Sequence, residues 1–423
     1  MSDVTLDGAA RLRGTVRVPG DKSASHRALM LSALAPGASR IDGLSGGEDV
    51  AATARIVSQL GARVEVTGDS VAVTGPLSGL HASDDVLDCG NSGTSMRLLS
   101  GIVAGVTGLH RLVGDESLSR RPMDRIARPL RLMGAEITGH GDALTPPLTI
   151  TGTSRLRAID YEVPVVSAQV KSAILFAGLV ADGASTVREA VRTRSTTEDM
   201  MRSAGLFLQS ANVGAGREVR VHPGRPEPRH WHVPGDPSQA AFFAVLGVVH
   251  PDARIDIAPI DRAPERVGFV DVLVRMGADL TWGEDGSLRA SSSHLTATQI
   301  WAQEIPSVDE VPALTVAAAA AHGVTAFREM AELRVKESDR FAGSMALATA
   351  LGCTTWSEGE DFFVRGLGEA AAFAPLTLAV ELDHRMVMAA ATAACAGHGG
   401  TIRGAESVSS SYPAFFEHLT SLQ

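Results

Sequence analysis

Val50-Ala51-Ala52-Thr53-Ala54-Arg55-Ile56-Val57-Ser58-Gln59-Leu60-Gly61-Ala62 is the stretch that decides the fold, because its ending returns four more times along the chain. Val50, Val57 and Leu60 fall at helical spacing, and a glycine follows the last of them, where a helix commonly closes on a left-handed residue. The same ending stands at Met133-Gly134-Ala135, Ala204-Gly205-Leu206, Met276-Gly277-Ala278 and Leu351-Gly352-Cys353. The five glycines are 73, 71, 72 and 75 residues apart. A sixth segment, Phe416, Leu419 and Leu422, has no glycine after it. A period of this length marks a repeat architecture.

A second helix type interleaves with the first. It begins near Lys22, Asn91, Ser167, Asp236, Asp309 and Asp383, at intervals of 69, 76, 69, 73 and 74 residues. Each copy opens on small polar or acidic residues, becomes an Ala/Leu/Val run and ends in a Gly- or Pro-containing turn such as Pro36-Gly37 or His322-Gly323. A short strand-like piece follows, for example Arg254-Ile255-Asp256-Ile257. Two markers keeping one period predict an α/β (α+β) fold of six βαβαββ units. Prolines at 223, 226, 228, 234 and 237 place the domain boundary between the third and fourth units. The expected domains are 19–233, and 1–18 together with 234–423.

Composition narrows the class. At 423 residues with 44% apolar and 20% charged residues, the chain has the make-up of a folded protein of more than one domain. Met1 to Pro19 is polar and mixed in charge, so no secretory signal is expected, and no apolar run is long enough for a membrane span. Cys89, Cys353 and Cys395 show no metal-ligand spacing and read as reduced thiols in a cytoplasm. A net charge of −10 with no basic tail argues against a nucleic-acid partner. Of 38 basic residues only Lys22, Lys171 and Lys336 are lysines, and a chain so rich in Arg keeps Lys where a compact, rotatable ammonium is needed.

The helix starts carry the chemistry. Helix N-termini present unpaired N–H groups and the positive dipole end, which suit anions. Pro19-Gly20-Asp21-Lys22-Ser23-Ala24-Ser25-His26-Arg27 adds two cations to such an end, a placement that is unfavourable unless an anion binds. Asp88-Cys89-Gly90-Asn91-Ser92-Gly93-Thr94 lets the backbone approach a ligand and supplies Asn91 and Thr94 as donors. Ser167-Ala168-Gln169-Val170-Lys171 offers hydroxyl and amide donors, with Lys171 equally readable as a surface residue. Gly235-Asp236-Pro237-Ser238 reads as plain capping. Arg120-Arg121-Pro122 opens one helix of the other type, Arg194 precedes a second, and Leu333 to Arg340 opens a third. There Lys336 and Arg340 stand at i,i+4, a repulsive pair on one helix face unless an anion lies over it.

Taken together, Gly20–Arg27 (GDKSASHR), Gly90–Arg97 (GNSGTSMR), Ser167–Lys171 (SAQVK), Asp309–Pro312 (DEVP), Glu332–Arg340 (ELRVKESDR) and Asp383–Met386 (DHRM) resemble the enolpyruvyl transferase superfamily, and within it the 5-enolpyruvylshikimate-3-phosphate synthase family. The resemblance spans essentially the whole chain. It implies a two-domain, inside-out αβ barrel-like architecture with three repeats per domain, and transfer of the enolpyruvyl group of phosphoenolpyruvate to the 5-hydroxyl of shikimate 3-phosphate with release of phosphate. It implies no metal, no cofactor and a monomer. It assigns shikimate 3-phosphate to Lys22, Ser23, Arg27, Ser167, Ala168, Gln169, Arg194, Asp309 and Lys336. Phosphoenolpyruvate falls to Lys22, Gly93, Arg121, Gln169, Arg340 and Arg385. Asp309 would take the proton of the attacking hydroxyl, and Glu337, with Lys22, would protonate the methylene carbon. Such a reaction needs a positioned acid and cationic stabilisation of developing charge, which these residue types supply.

Two departures stand out. Ser409-Ser410-Ser411-Tyr412-Pro413 replaces the lysine that one branch of the family carries before its final helix. Thr193-Arg194-Ser195-Thr196 lacks the acidic and histidine residues common in the other branch. Arg121 is preferred to Arg120 because the family's arginine directly precedes proline. The sister enzyme acting on UDP-N-acetylglucosamine would show Lys-Asn in place of Lys22-Ser23 and a cysteine loop where Gly114-Asp115-Glu116-Ser117 stands. A silent ligand-binding paralogue would have no use for Asp309 and Glu337 among anions, and a secondary-metabolism paralogue would use a related cyclic alcohol.

Overall fold

The structure, a computed structural model, describes residues 3–68, 70–305 and 307–423, so the first two residues of the stretch assigned above to the second domain lie outside it. The chain divides into two compact units. One is Gly20–Val233; the other joins the N-terminal residues through Pro19 to Pro234–Gln423.

In both units the Ala-rich helices lie inside. Lys22–Leu34, Gly93–Ala104 and Ala168–Gly178 fill the interior of the first unit. In the other, Pro237–Val249, Val311–Ala320 and His384–Ala396 are buried along their whole length. Small side chains allow this: helices apolar all round can pack against one another only where their surfaces are slim. Gly101 shows how close the approach is. A Cβ built there would stand 2.2 Å from the carbonyl oxygen of Ala173 on the neighbouring helix.

The helices of the other type, Glu48–Gln59, Asp124–Leu132, Thr196–Ser203, Gly268–Arg275, Arg340–Ala350 and Phe415–Thr420, bury one face and expose the other. The glycines that mark the repeat are their terminators. Gly61, Gly134, Gly205, Gly277 and Gly352 all have φ between 79° and 109°. The next N–H, from Ala62, Ala135, Leu206, Ala278 or Cys353, donates to the carbonyl five residues back: Val57, Leu130, Met201, Leu273 or Ala348. This is the Schellman geometry, and only glycine adopts its left-handed position without strain.

Among the described residues each unit carries three sheets. The second repeat shows the plan: Leu87–Asp88 pairs in parallel with Gly108–Val113, which pairs antiparallel with Thr145–Gly152, itself antiparallel to Glu136–His140. The third and fifth repeats follow the same order. The first and fourth differ in one respect. Leu12–Val16, which precedes the first buried helix, pairs instead with Ala253–Ile257 of the fourth repeat. His230–His232, which precedes the fourth buried helix, pairs with Gly37–Asp42 of the first. The two repeats have exchanged their opening strands. In the sixth sheet Leu376–Ala379 and Gly400–Arg403 are joined by Asp3–Leu6, antiparallel to the latter. Among the described residues no helix is long and apolar enough to cross a membrane.

Gly101→Ala should cost about 1–3 kcal/mol, because the added methyl overpacks the helix crossing. Urea unfolding should show a lower midpoint at an unchanged slope. An unchanged midpoint would mean that the crossing relaxes freely.

Candidate active site

The first buried helix of unit Gly20–Val233 begins at Lys22, with the Asp21 carboxylate accepting the Ala24 N–H at 2.7 Å. Lys22 forms an ion pair with Asp49, which opens the following helix. One turn on, Arg27 is buried; its Nε donates to Thr197 Oγ1 at 2.6 Å, Nη2 to Ser172 Oγ at 3.0 Å and Nη1 to the Ser23 carbonyl at 2.8 Å. Beside it, burial first and then the charges of Lys22 and Arg27 hold the His26 imidazole well below its usual range, so it stays neutral against Thr53.

The second helix start is built around two guanidinium groups. Ser92 caps the helix, its hydroxyl accepting the Ser95 N–H at 3.0 Å. Arg121 donates to Asn91 Oδ1 at 2.8 Å and Ser117 Oγ at 3.1 Å. Arg97 Nη1 donates to Gln169 Oε1 at 2.7 Å, and the Gln169 amide reaches back to Thr94 Oγ1 at 3.1 Å. A Cβ on Gly93 would sit 3.0 Å from Arg97 Nη1 and 3.2 Å from Arg121 Nη1, so the glycine leaves these two cations their room. Arg121 is buried, whereas Arg120 is exposed and pairs with Glu116. The pair does not open a helix, however: Arg120 ends a short 3₁₀ turn, Leu118–Arg120, and the α-helix begins at Asp124, beyond Pro122. Ser167 caps the third buried helix through Val170 N–H, and Ala168 is its first residue.

Lys171 is not a surface residue. Its side chain is fully buried, with Nζ 2.9 Å from Glu189, 2.7 Å from Glu198 and 3.2 Å from the carbonyl oxygen of Arg194. Both carboxylates are themselves buried. An ammonium so placed balances two buried charges and holds the loop that carries Arg194. Lys171→Met should therefore destabilise the chain by about 3–5 kcal/mol, since two buried carboxylates lose their common partner. Chemical unfolding measures this, and a loss below about 1 kcal/mol would overturn the reading.

In the other unit the centre is Arg340, the first residue of its helix and fully buried. Its guanidinium meets Asp309 at 3.0 Å, Glu337 at 2.6 Å and Asp383 at 2.8 Å. Burial works against the charge, but Asp383, Glu337 and Asp309 outweigh it and raise the pKa further. Asp383 also accepts the N–H groups of Arg385 and Met386, and the Ser338 hydroxyl donates to it at 2.8 Å. Arg385 Nη2 lies 3.4 Å from the second oxygen of Asp309. Its Nη1, also buried, has no acceptor among the described residues, as a group awaiting an anion would.

The repulsive Lys336–Arg340 pair does not exist. Lys336 is extended and lies before the helix, with its ammonium 3.2 Å from Glu332, while Arg340 faces carboxylates. The i,i+4 rule needs both residues inside one helix, and Asp339 caps the helix only at Arg340. The Asp236 end is more than a cap as well: besides accepting the Ser238 N–H, it holds the buried Arg266 at 3.0 Å. Sequence reading passed over Asp49, Arg97, Glu189, Glu198 and the pairing role of Asp383. Arg97 and Asp383 stand inside quoted motifs, so position could have flagged them; the other three carry no local signal.

Three interior helices walled by three sheets in each unit, with cationic helix ends in one and a carboxylate-ringed arginine in the other, define the inside-out α/β class. The profile of the family described as EPSP synthase (3-phosphoshikimate 1-carboxyvinyltransferase) matches residues 6–419, and the chain belongs to that family. The 3-phosphoshikimate 1-carboxyvinyltransferase of Herpetosiphon aurantiacus is 40% identical over 430 residues, covering 99% of each chain. That of Gloeobacter violaceus is 43% identical over 431 residues, covering 98% of each. An EPSP synthase structure from Acinetobacter baumannii superposes with a TM-score of 0.86 at 37% identity, covering 99% of this chain and 98% of that one. The enolpyruvyl transferase NikO from Streptomyces tendae shares the fold, with a TM-score of 0.78 at 20% identity over 99% and 96% of the two chains.

Proposed function

We propose that this enzyme transfers the enolpyruvyl group of phosphoenolpyruvate to the 5-hydroxyl of shikimate 3-phosphate, as a 3-phosphoshikimate 1-carboxyvinyltransferase of the shikimate pathway, which leads to chorismate and the aromatic amino acids. The observation that carries the reading is Arg340, which holds Asp309 and Glu337 on one buried guanidinium. Addition across an enol ether needs a base for the attacking hydroxyl and an acid for the methylene carbon. Asp309, ionised, can serve as the base, and Glu337, once it has taken up a proton, as the acid, while the cation limits the build-up of negative charge.

In this reading Asp309 accepts the hydroxyl proton and Glu337, with Lys22, protonates the methylene carbon. The resulting tetrahedral intermediate collapses by losing phosphate together with one proton of the new methyl group, which restores the methylene of the enolpyruvyl product. Gly93, Arg121, Gln169, Arg340 and Arg385, with Lys22, bind phosphoenolpyruvate, and the open Nη1 of Arg385 supports its part. Ser23, Arg27, Ser167, Ala168, Gln169, Arg194 and Lys336, with Lys22 and Asp309, bind shikimate 3-phosphate. Planar guanidinium groups suit carboxylate and phosphate oxygens in pairs. The same reading carries action as a monomer, after the family, and a cytoplasmic location, which three buried, unbridged thiols favour.

Supplied with shikimate 3-phosphate and phosphoenolpyruvate, the enzyme should release one phosphate per turnover. Turnover only with another cyclic alcohol, or none at all, would overturn the proposal. Asp309→Ala should lower kcat by about 10²–10⁴-fold while calorimetry still detects shikimate 3-phosphate binding. Glu337 and Asp383 still hold Arg340 in that variant, so loss of binding and turnover together would mark Asp309 as structural.

A further inference from the structure

The strand His230–His232 lies in parallel register with Gly37–Asp42, so that Trp231 faces Ile41 and His232 faces Asp42. Trp231 and Ile41 are buried in the core. Strand alternation therefore turns His230 and His232 to the outer face, the face that Asp42 shares. Asp42 Oδ2 lies 2.5 Å from His230 Nε2 and 3.8 Å from His232 Nδ1. Its other oxygen is already committed: Oδ1 accepts from Ser70 Oγ at 2.6 Å and from Arg40 Nε at 2.8 Å. These bonds fix the plane of the carboxylate. Oδ2 is left to the two imidazoles. The three donor atoms all lie within 4.8 Å of one another.

We propose that Asp42, His230 and His232 form a binding site for a divalent transition-metal ion of the zinc class, through Oδ2, Nε2 and Nδ1. Two imidazoles and a carboxylate suit Zn²⁺, Ni²⁺ or Cu²⁺ rather than Mg²⁺ or Ca²⁺, and water completes the coordination. The Arg40 and Ser70 bonds to Oδ1 are the outer contacts that orient a ligating carboxylate. His230 and His232 are 44% and 74% exposed, so their rings have the freedom to close on an ion. The ion would clamp a strand of only three residues, delivered from far along the chain, onto the sheet of the first repeat. Its role is separate from the transferase chemistry, and its test reads binding and stability alone.

The full chain is stripped with a chelator and titrated with Zn²⁺ by calorimetry and with Co²⁺ by visible absorption. One equivalent should bind, and the Co²⁺ bands should saturate at the same ratio. His230→Gln and His232→Gln should each weaken binding at least about 10-fold, with the exposed His140→Gln as an unaffected control. At free Zn²⁺ of about 100 times Kd the folded-to-unfolded ratio should rise about 100-fold, and not in His232→Gln. No isotherm, or binding equal in all three variants, would overturn the proposal. So would sensitivity to His230 with none to His232, which would leave a simple His–Asp pair.

Discussion

A helix buried on every side still has to satisfy the N–H groups of its first turn, and this constraint shapes the rest of the molecule. The interior helices bring those ends to the limit of the core with almost no exposed side chain along their length. Each end then needs an oxygen to receive it. Asp21, Ser92, Ser167, Asp236 and Asp383 supply one directly. Once such ends are fixed, the residues next to them are fixed too, and these are the residues that the proposed reaction uses.

Within the unit Gly20–Val233 a run of side-chain bonds links the three helix starts. Arg27 reaches Ser172, His26 reaches Ser95 through Thr53, and Gln169 joins Arg97 and Thr94. The bonds hold groups in place before a ligand arrives, which is what electrostatic catalysis requires. In the other unit Asp383 does two jobs, capping its own helix and orienting Arg340. Arg340 in turn orients the two proposed proton carriers. A substitution at Asp383 would thus be felt at Asp309 and Glu337 although it need touch no substrate.

Much of the fold was legible because a repeat multiplies weak signals. One Gly after an apolar residue says little, but five at spacings of 71 to 75 residues, each meeting the φ > 0 demand of a helix terminator, specify the unit. Lys171 was illegible for the opposite reason. A buried lysine and an exposed one look alike in sequence, and Glu189 and Glu198, which decide between them, stand 18 and 27 positions away. The Lys336–Arg340 expectation failed because spacing was read as helix where the helix had not yet begun.

The sequence by itself determined the period, the two helix types, the six starts and the family motifs, because these depend on local patterning of side chains and on single residues with special backbone freedom. Tertiary structure alone decided which strands pair and which charges meet. The expected domain bounds already set residues 1–18 with 234–423, but that Leu12–Val16 pairs with Ala253–Ile257 and His230–His232 with Gly37–Asp42, and in which register, only the tertiary structure shows. The same holds for the three carboxylates around Arg340, for the pocketed ammonium of Lys171 and for the Asp42–His230–His232 group. Each depends on distance in space between residues far apart in the chain, and burial, not spacing, sets the strength of their interaction.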